Sequence, residues 1–399
     1  MEYFIETLTK EKFFTQEFLY RKDASSKPVV IGIPKENTAR EPRLPFTPEG
    51  VQALVDAGYE VIVETGAGEG INYPDMAFSE AGAFVTDSKT MVFNADVIFK
   101  IAVPNTEESE MMKEKSIVFS FLQLRHFSAE SFRTMQQKKI TAFAYDFLKD
   151  SKNTPTVTDS ISEIEGKVAV GVLSELMSNQ HGGKGILLGG VTGVMPTKIV
   201  IIGAENLCIS AVKAALALGC TIEIFDHNIN KLRAVLQQTN AASVATSVLH
   251  PIALSKALRN ADAVIACLNI TENQPFIVSE DIVKTMKKGA VIVDITENGC
   301  FETSEHSTLA KPYYTRHDVV HYCVPNISAR VARTTSMALS DVLSNEMAEA
   351  EHSGGILNYI KRNTGFCAYL YNGILINSRI GTHFGVTSND INLLLTIDN

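Results

Sequence analysis

The stretch "IVIIGAENLCISAVKAALALGCTIEIFDHN", residues 199–228, decides the fold class of this chain. Its β-branched run predicts a strand, Gly203 begins a tight turn, the Ala- and Leu-rich segment predicts a helix, and "TIEIFD" predicts a second strand. A strand, a crossover helix and another strand form the repeating unit of a parallel sheet covered by helices. The stretch therefore predicts an α/β fold.

The turn after the first of these strands resembles a dinucleotide-binding turn only in part. Such a turn carries three glycines, which permit the bend, the approach of a pyrophosphate and the packing of helix on strand. Gly203 fills the first position, but Glu205 and Cys208 fill the second and third. Asp226 ends the next strand, where an acid binds the ribose hydroxyls of adenosine. Because a carboxylate at position 205 repels a pyrophosphate, we expect a Rossmann domain whose NAD binding is weak or lost.

Apolar strand candidates come in two series that alternate with helical stretches. The first series is "KPVVIGIPKE", "YEVIVETGAGEG", "ADVIFKIAVP", "SIVFSFLQL" and "KITAFAYDFL"; the second is "TKIVIIGA", "CTIEIFD", "ADAVIACL", "GAVIVDIT" and "VVHYCVPN". Alternation of strand and helix predicts parallel sheets, and the continuous β-branched runs are typical of strands covered on both faces. We therefore expect two Rossmann-like domains with parallel sheets and a cleft between them.

The two series set the expected domain limits. Residues 1–28 are predicted to form a helical extension, and residues 161–334 the dinucleotide-binding Rossmann domain, entered through a Gly-rich connector at 182–196. Residues 29–160 together with 335–399 are predicted to form the substrate domain. The segment from about residue 334 is helical in pattern, so we expect C-terminal helices that return to the first domain.

Charge and cysteine content limit the expected partners and location. The net charge of −9 argues against nucleic acid or an anionic membrane as a partner. No stretch approaches the roughly 18 apolar residues of a spanning helix, and the N-terminus lacks the pattern of a signal peptide. The six cysteines are scattered, without a C-x-x-C pair or a histidine at ligand spacing, so we expect buried free thiols, no metal site and a cytoplasmic protein.

Several long motifs, in order, resemble the alanine dehydrogenase / pyridine nucleotide transhydrogenase family over roughly residues 29–345. They are "IGIPKE…RLPFTPEGVQALVDAGYEVIVETGAGEG", "GKGILLGGVTGV", "GCFETSE" and "HYCVPNISARVARTTSMAL". The resemblance implies two α/β domains with the cofactor in the cleft, and a homo-oligomer, either a dimer or a hexamer. It also implies NAD-linked oxidative deamination of L-alanine to pyruvate and ammonia.

The resemblance assigns the substrate side of the site with two departures. The family's carboxylate-binding arginine falls on Arg43, whose guanidinium fork suits an amino or keto acid. The family's later substrate lysine falls on Ala102, and only Lys100 remains in that segment, where a solvent-exposed strand-end lysine is the simpler expectation. The family's catalytic histidine falls on Gln123, an amide that orients a carbonyl but does not shuttle a proton; His126 lies three residues on.

The remaining positions carry over unevenly. The family's catalytic aspartate has Glu297 as its nearest counterpart, in a loop shorter by two residues, while Asn326 matches an asparagine near the nicotinamide. Ser162 matches a serine that contacts the cofactor, and Lys231 matches a basic residue near the adenosine ribose. Positions that build the fold match, whereas positions for proton transfer and for the pyrophosphate mostly differ.

Three functional hypotheses follow from this pattern. The first is an alanine dehydrogenase-like enzyme with degraded cofactor and catalytic positions, in which Arg43 holds the carboxylate and Glu297 or a water acts as base. The second is a pseudoenzyme that serves as a binding or regulatory subunit. The third is an oxidoreductase for another amino or keto acid, which Gln123 and Arg125 recognise.

Overall fold

A computed structural model describes residues 28–149, 154–239, 243–268, 276–352 and 367–389 of the chain. Apart from Pro28, the helical extension predicted for residues 1–28 lies outside the described residues. The described residues form two mostly parallel sheets with helices packed against them, so the predicted α/β fold class is confirmed.

Fifteen strands are present in the described part of the chain. The first six are β1 (Val30–Ile33), β2 (Glu60–Glu64), β3 (Phe84–Thr86), β4 (Val97–Phe99), β5 (Ile117–Ser120) and β6 (Thr141–Ala144). The next seven are β7 (Lys198–Ile202), β8 (Thr221–Asp226), β9 (Val244–Val248), β10 (Ala263–Ala266), β11 (Val291–Asp294), β12 (Tyr313–Arg316) and β13 (Val319–Tyr322). The tail adds β14 (Ala368–Tyr371) and β15 (Ile374–Leu375).

Each sheet is built from one of the two predicted series. The first has the strand order β15-β14-β6-β5-β4-β1-β2-β3 and the second the order β12-β13-β11-β10-β7-β8-β9. In both, the strands of the predicted series pair with one another in parallel, and the antiparallel pairs in the described residues are β12 with β13, β14 with β6 and β14 with β15. The central strands β4, β5, β10, β11 and β13 are buried along their whole length, as expected of strands covered on both faces.

Twelve α-helices connect and cover these strands in the described residues. They are α1 (Pro48–Asp56), α2 (Asp75–Glu80), α3 (Lys89–Phe93), α4 (Thr106–Met111), α5 (Ala129–Gln137), α6 (Thr156–Leu176), α7 (Asn206–Ala217), α8 (Ile229–Thr239), α9 (Pro251–Asn260), α10 (Glu280–Val283), α11 (Ala332–His352) and α12 (Ser378–Phe384). Pro48 begins α1 as predicted, because its fixed φ suits the first turn of a helix. Asn105 and Glu108 form a reciprocal capping box at the start of α4.

The tail departs from the expectation of helices alone. Helix α11 does return to the first domain, where it packs against α1, but residues 368–375 then form a hairpin that adds β14 antiparallel to β6. The turn of this hairpin is Asn372-Gly373, and both residues have positive φ, 50° and 79°. Asn-Gly between apolar residues is a strong hairpin signal, and the sequence analysis missed it.

Helix α6 joins the two sheets and packs closely on α7. A Cβ on Gly166 would lie 2.4 Å from the backbone oxygen of Leu207, so only glycine permits this approach. The N-terminal half of α6 contributes Val157 and Ile161 to the core of the first domain, and its C-terminal half contributes Ala169 and Leu173 to that of the second. Residues in the middle of α6 therefore lie where the two domains meet.

Candidate functional site

The four residues assigned to catalysis all follow the carboxyl ends of buried strands. Arg43 follows β1, Gln123 follows β5, Glu297 follows β11 and Asn326 follows β13. In open α/β sheets this edge is where ligands bind. The two sheets present these edges toward each other, because Arg43 of one domain is hydrogen-bonded to Ser328 of the other.

Arg43 is the most completely enclosed of these four side chains, being 5% exposed. Glu41 binds it bidentately, with Nε to Oε1 at 2.6 Å and Nη2 to Oε2 at 2.7 Å, and Nη1 donates to Ser328 Oγ at 3.0 Å. Burial lowers the pKa of Arg43, but the Glu41 carboxylate outweighs it, so that pKa lies above its usual value. The guanidinium carbon also lies 5.6 Å from the centre of the Phe121 ring. These contacts fix a charged fork at the mouth of the cleft.

Asn326 completes this cluster from the second domain. Its Nδ2 donates to the backbone oxygen of Arg40 at 3.2 Å, and lies 3.5 Å from Oε2 of Glu41. The structure thus brings Asn326 and Arg43 onto the same carboxylate, as neighbours across the domain boundary. An amide and a guanidinium that share one rigid partner are well placed to receive a second, small carboxylate or carbonyl compound.

Glu165 is a member of this cluster that the sequence analysis missed. Its Oε1 accepts a hydrogen bond from Ser328 Oγ at 3.1 Å, and Ser328 in turn accepts from Arg43. Burial raises the pKa of Glu165 to about 7, and Arg43 only partly opposes this rise. The sequence does contain a signal: Glu165 occupies a row of α6 at four-residue spacing whose other members are buried, namely Val157, Ile161, Ala169 and Leu173.

Glu297 lines a small cavity that the two neighbours of Gln123 in the chain also line. Gln123 is half-buried between Leu122 and Leu124, and these two leucines line a cavity of about 70 Å³ together with Asp146, Phe147 and Glu297. Asp146 fixes the loop by accepting a hydrogen bond from Leu122 N at 2.6 Å. Glu297 therefore lies against this cavity despite its shortened loop.

Lys100 lies in the core rather than in solvent, contrary to the sequence-based expectation. It is 2% exposed and binds two carboxylates, Glu108 at 2.9 Å and Glu36 at 3.5 Å. Glu36 Oε1 also accepts from the backbone nitrogens of Ile101 and Ala102, at 2.6 Å and 3.1 Å. A buried ammonium needs such partners, since desolvation of a lone charge is costly. Lys100 is thus engaged in a buried ion-pair network with Glu36 and Glu108.

The turn after β7 is tight for reasons internal to the protein. Gly203 has φ +109°, and a Cβ there would lie 2.6 Å from the backbone nitrogen of Leu268. Asp226 is 2% exposed, and its two oxygens accept from the backbone nitrogens of Ala204 and Asn228, at 2.8 Å and 2.6 Å. The acid predicted to bind a ribose therefore holds the turn itself, with both oxygens already engaged.

Glu205 begins α7 but does not cap it. Glu205 occupies the N-cap position with an extended backbone, and its side chain makes no hydrogen bond to the first turn of the helix. Its carboxylate is bound by Lys231 instead. Lys231, predicted to lie near the adenosine ribose, is thereby paired within the turn region. Cys208 is fully buried within α7, and burial raises the pKa of its thiol well above the usual value. The helix accommodates a cysteine where a glycine was expected.

A dinucleotide therefore fits this domain in its fold but not in its phosphate turn. Gly203 supplies the bend, and Ser162 is half-buried on α6 beside the buried Ile161. Against that, Glu205 places a carboxylate at the helix N-terminus where a diphosphate would bind. The larger groove of about 590 Å³, between α6 and α7, is open and is lined by both acids and lysines, including Glu163, Lys167 and Lys213.

The described residues also lack features of two other classes of protein, membrane-spanning proteins and metal-binding proteins. Within them, no helix is long and apolar enough to cross a membrane, and no group of three or more His, Cys, Asp or Glu residues has the arrangement of a metal site. All six cysteines are free; Cys267 is partly buried and the other five are buried.

The fold and the site define a class: two-domain α/β proteins with Rossmann-like domains and ligand-binding groups at the cleft. The alanine dehydrogenase/PNT N-terminal domain matches residues 32–164, and the C-terminal domain of the same family matches residues 169–373. The chain belongs to the alanine dehydrogenase/PNT family, so the resemblance identified from sequence motifs is confirmed.

Individual relatives place it further. It is 34% identical to an alanine dehydrogenase of Staphylococcus saprophyticus, over 91% of this chain and 99% of the relative, and 36% identical to one of Methanococcus maripaludis, over 78% and 85%. A solved L-alanine dehydrogenase superposes with TM-score 0.81 at 28% identity, over 90% of this chain and 99% of that chain. A transhydrogenase from Sinorhizobium meliloti, 22% identical over 88% and 99%, shares the fold with TM-score 0.73. The chain is alanine dehydrogenase-like in sequence and fold.

Proposed function

We propose that this chain binds a small amino or keto acid at Arg43 and acts on it with NAD as a feeble alanine dehydrogenase, converting L-alanine to pyruvate and ammonia. The observation that supports this is the buried, preorganised guanidinium at the junction of the two domains. Glu41 and Ser328 use three of its N–H groups, which leaves one on each terminal nitrogen for an incoming carboxylate. Asn326 lies beside it and is proposed to orient the reacting carbonyl.

The residues proposed for proton handling are weaker than this anchor. A bound nicotinamide supplies the hydride chemistry, so the protein's share is to bind, orient and move protons. Gln123 orients a carbonyl through its amide but does not titrate. Glu297 is proposed as the base, acting on the substrate or through a water in the adjoining cavity. Since a positioned acid or base typically contributes about 10²–10⁴-fold, we expect slow turnover.

NAD binding is proposed to be weak, with Ser162, Gly203, Asp226 and Lys231 as the residues nearest the cofactor. A diphosphate at the start of α7 would meet the Glu205 carboxylate, which Lys231 only partly neutralises. The ribose would also have to share Asp226 with two backbone donors. These contacts favour millimolar over micromolar affinity.

A homo-oligomer is proposed on the basis of one exposed apolar loop. In the connector before β7, Leu187, Val194 and Met195 are 66%, 67% and 89% exposed. Val191 and Val194 form an isolated antiparallel bridge, so the loop projects as a short ribbon. An exposed apolar ribbon of this kind is better explained by a second copy of the chain than by solvent.

The second candidate function is a subunit without catalytic activity, and it is favoured by the losses at Glu205 and Gln123. An oxidoreductase for another amino or keto acid remains the third. The three are separated by a fluorescence titration with NADH, followed by NADH oxidation with pyruvate and ammonia. NADH binding with pyruvate-dependent turnover supports the proposal, and binding without turnover favours another acid. Absence of NADH binding at millimolar concentration contradicts the proposal and favours the non-catalytic subunit.

A further inference from the structure

We propose that Glu165 is part of the carboxylate site, and that a small carboxylate binds at Arg43 together with one proton, which Glu165 takes up. This inference rests on the proposed function, because it requires Arg43 to receive a carboxylate. It goes beyond that function by assigning a role to a residue of α6 that is not needed for the reaction itself.

The geometry couples the charge of Glu165 to Arg43, the proposed anion-binding group. Arg43 Nη1 donates to Ser328 Oγ at 3.0 Å, and Ser328 Oγ donates to Glu165 Oε1 at 3.1 Å. One hydroxyl therefore connects the guanidinium to the carboxyl group, and each residue comes from a different segment of the fold. The Coulomb attraction of Arg43 acts directly on Glu165 as well. Any second anion at Arg43 must compete with this interaction.

The charge balance of the cluster explains why a proton is needed. Arg43 is already matched by the bidentate carboxylate of Glu41, so an ionised Glu165 makes the cluster negative before a ligand arrives. A substrate carboxylate would then meet two acidic side chains around one guanidinium. Protonation of Glu165 removes one of these negative charges, so the guanidinium is left with one acid and one ligand.

Glu165 is able to take up this proton near neutral pH. Burial raises its pKa to about 7, whereas Arg43 and the Ser328 hydroxyl lower it. A bound carboxylate withdraws part of the Arg43 attraction and adds a negative neighbour, so the pKa rises further on binding. By linkage, the same coupling makes ligand affinity fall as the pH rises through about 7.

Other charged groups near α6 are engaged with different partners. Glu36 acts on Arg43 but pairs with Lys100, and its pKa is raised mainly by burial. The other charged groups on elements packed against α6 have partners of their own. Asp146 accepts a hydrogen bond from Leu122 N, and Asp294 accepts from the backbone nitrogens of Thr296 and Cys300. Lys213 acts on Glu163, Arg330 binds Glu175, and Arg333 lies over the ring of Tyr73. Glu165 is thus the carboxyl group whose charge Ser328 couples to Arg43.

The test is isothermal titration calorimetry, which measures the affinity for pyruvate at pH 6, 7 and 8, with and without NADH. With a pKa of about 7, the wild-type chain should bind pyruvate about tenfold more weakly at pH 8 than at pH 6. Glu165→Gln keeps the shape of the side chain and its contact with Ser328, and its affinity should stay constant within about twofold. Repeating the titrations in buffers of different ionisation enthalpy should show proton uptake on binding at pH 7–8 in wild type and none in Glu165→Gln.

Two control variants make the result specific. Glu163→Gln makes the same change on an exposed part of the same helix, where Glu163 pairs with Lys167, and should retain the wild-type pH profile. Arg43→Lys should abolish pyruvate binding at every pH. A pH-independent wild-type affinity, or a profile unchanged in Glu165→Gln, overturns the proton-linked role while leaving Arg43 as the carboxylate site. Absence of pyruvate binding to wild type, or normal binding to Arg43→Lys, overturns the proposed function and this inference with it.

Discussion

Arg43 and Glu205 are each paired with a side chain of opposite charge, but the two pairs differ in burial and in the number of contacts that fix them. At Arg43 the cation is buried, held in a bidentate pair and joined to Ser328, so its position is fixed from three sides. At the turn, Glu205 and Lys231 are partly exposed and contact each other at the surface. Buried paired groups are costly to remove, whereas exposed pairs contribute little. The comparison indicates that losing a member of the Arg43 cluster should cost more stability than losing a member of the Glu205–Lys231 pair.

Arg43→Ala should have the largest effect on stability. Its removal leaves Glu41 as a buried carboxylate without its cation, so the free energy of unfolding should fall by about 3–5 kcal/mol. Urea denaturation of the purified chain measures this change. Arg40→Ala, three residues earlier and exposed, is the matched control and should change stability by less than about 0.5 kcal/mol. Equal effects from the two variants would show that the Arg43 cluster contributes no more than a surface position.

Gly203→Ala should be the most destabilising single change in the turn. The new Cβ would meet the backbone of Leu268, and alanine is strained at φ +109°, so a loss of about 1–3 kcal/mol is expected. Gly193→Ala separates the two causes, because Gly193 has φ +85° and nothing within 4 Å of the added Cβ. Thermal or urea unfolding should place Gly193→Ala at about 1 kcal/mol or less. If both variants lose the same amount, the close approach to Leu268 has no energetic consequence.

Glu205→Gly should tighten NADH binding by about tenfold, which corresponds to about 1.4 kcal/mol. The change removes both the like charge and the Cβ, and it frees Lys231 to meet a phosphate. Fluorescence titration with NADH measures the affinity. Glu205→Gln removes the charge but keeps the bulk, so an intermediate affinity assigns part of the effect to each cause. Unchanged affinity in Glu205→Gly would contradict our account of the turn.

Glu165→Gln should have an effect on stability that is small at low pH and grows as the pH rises. The folded-state pKa of about 7 lies above the ordinary value of 4.5, so the folded chain binds this proton more tightly than the unfolded chain. The protonated form therefore favours folding at low pH, and this contribution is lost as the pH rises toward 7. With these two pKa values, ionisation of Glu165 costs wild type up to about 3 kcal/mol at pH 8 and less than about 1 kcal/mol at pH 5, so the glutamine variant should be more stable than wild type by up to these amounts. Urea titrations at both pH values test this, and a difference independent of pH would contradict it.

The sequence predicted the fold well where strands are long and apolar. All ten strand candidates of the two series are strands in the structure. It missed β3, β9 and β12, whose residues are mostly half-buried or exposed and so lack a continuous apolar run. The tail hairpin was also not predicted, because the surrounding segment has a helical pattern. The local signal for the hairpin is the turn Asn372-Gly373.

The candidate site was predictable only in its residue types. Family motifs located Arg43 and Asn326, and the structure places both around Glu41. What the sequence does not give is the partner of each charge: Lys100 was expected in solvent but lies between Glu36 and Glu108, and Asp226 holds its own turn. Ion-pair choice depends on distances across the fold, and these distances are not encoded in local spacing. Glu165 was detectable locally, as a single acid in a buried row of a helix.

The pairing of β14 with β6 has a consequence for how the molecule assembles. The strands β1 to β6 come first along the chain, yet in the described residues one edge of their sheet is covered by residues 368–375, near the other terminus. During synthesis the backbone groups of that edge remain without these partners until the whole second domain has emerged. Open edges of this kind are where chains pair with one another. We therefore expect the first domain to be completed late in folding, and aggregation during refolding should be most severe before the tail docks.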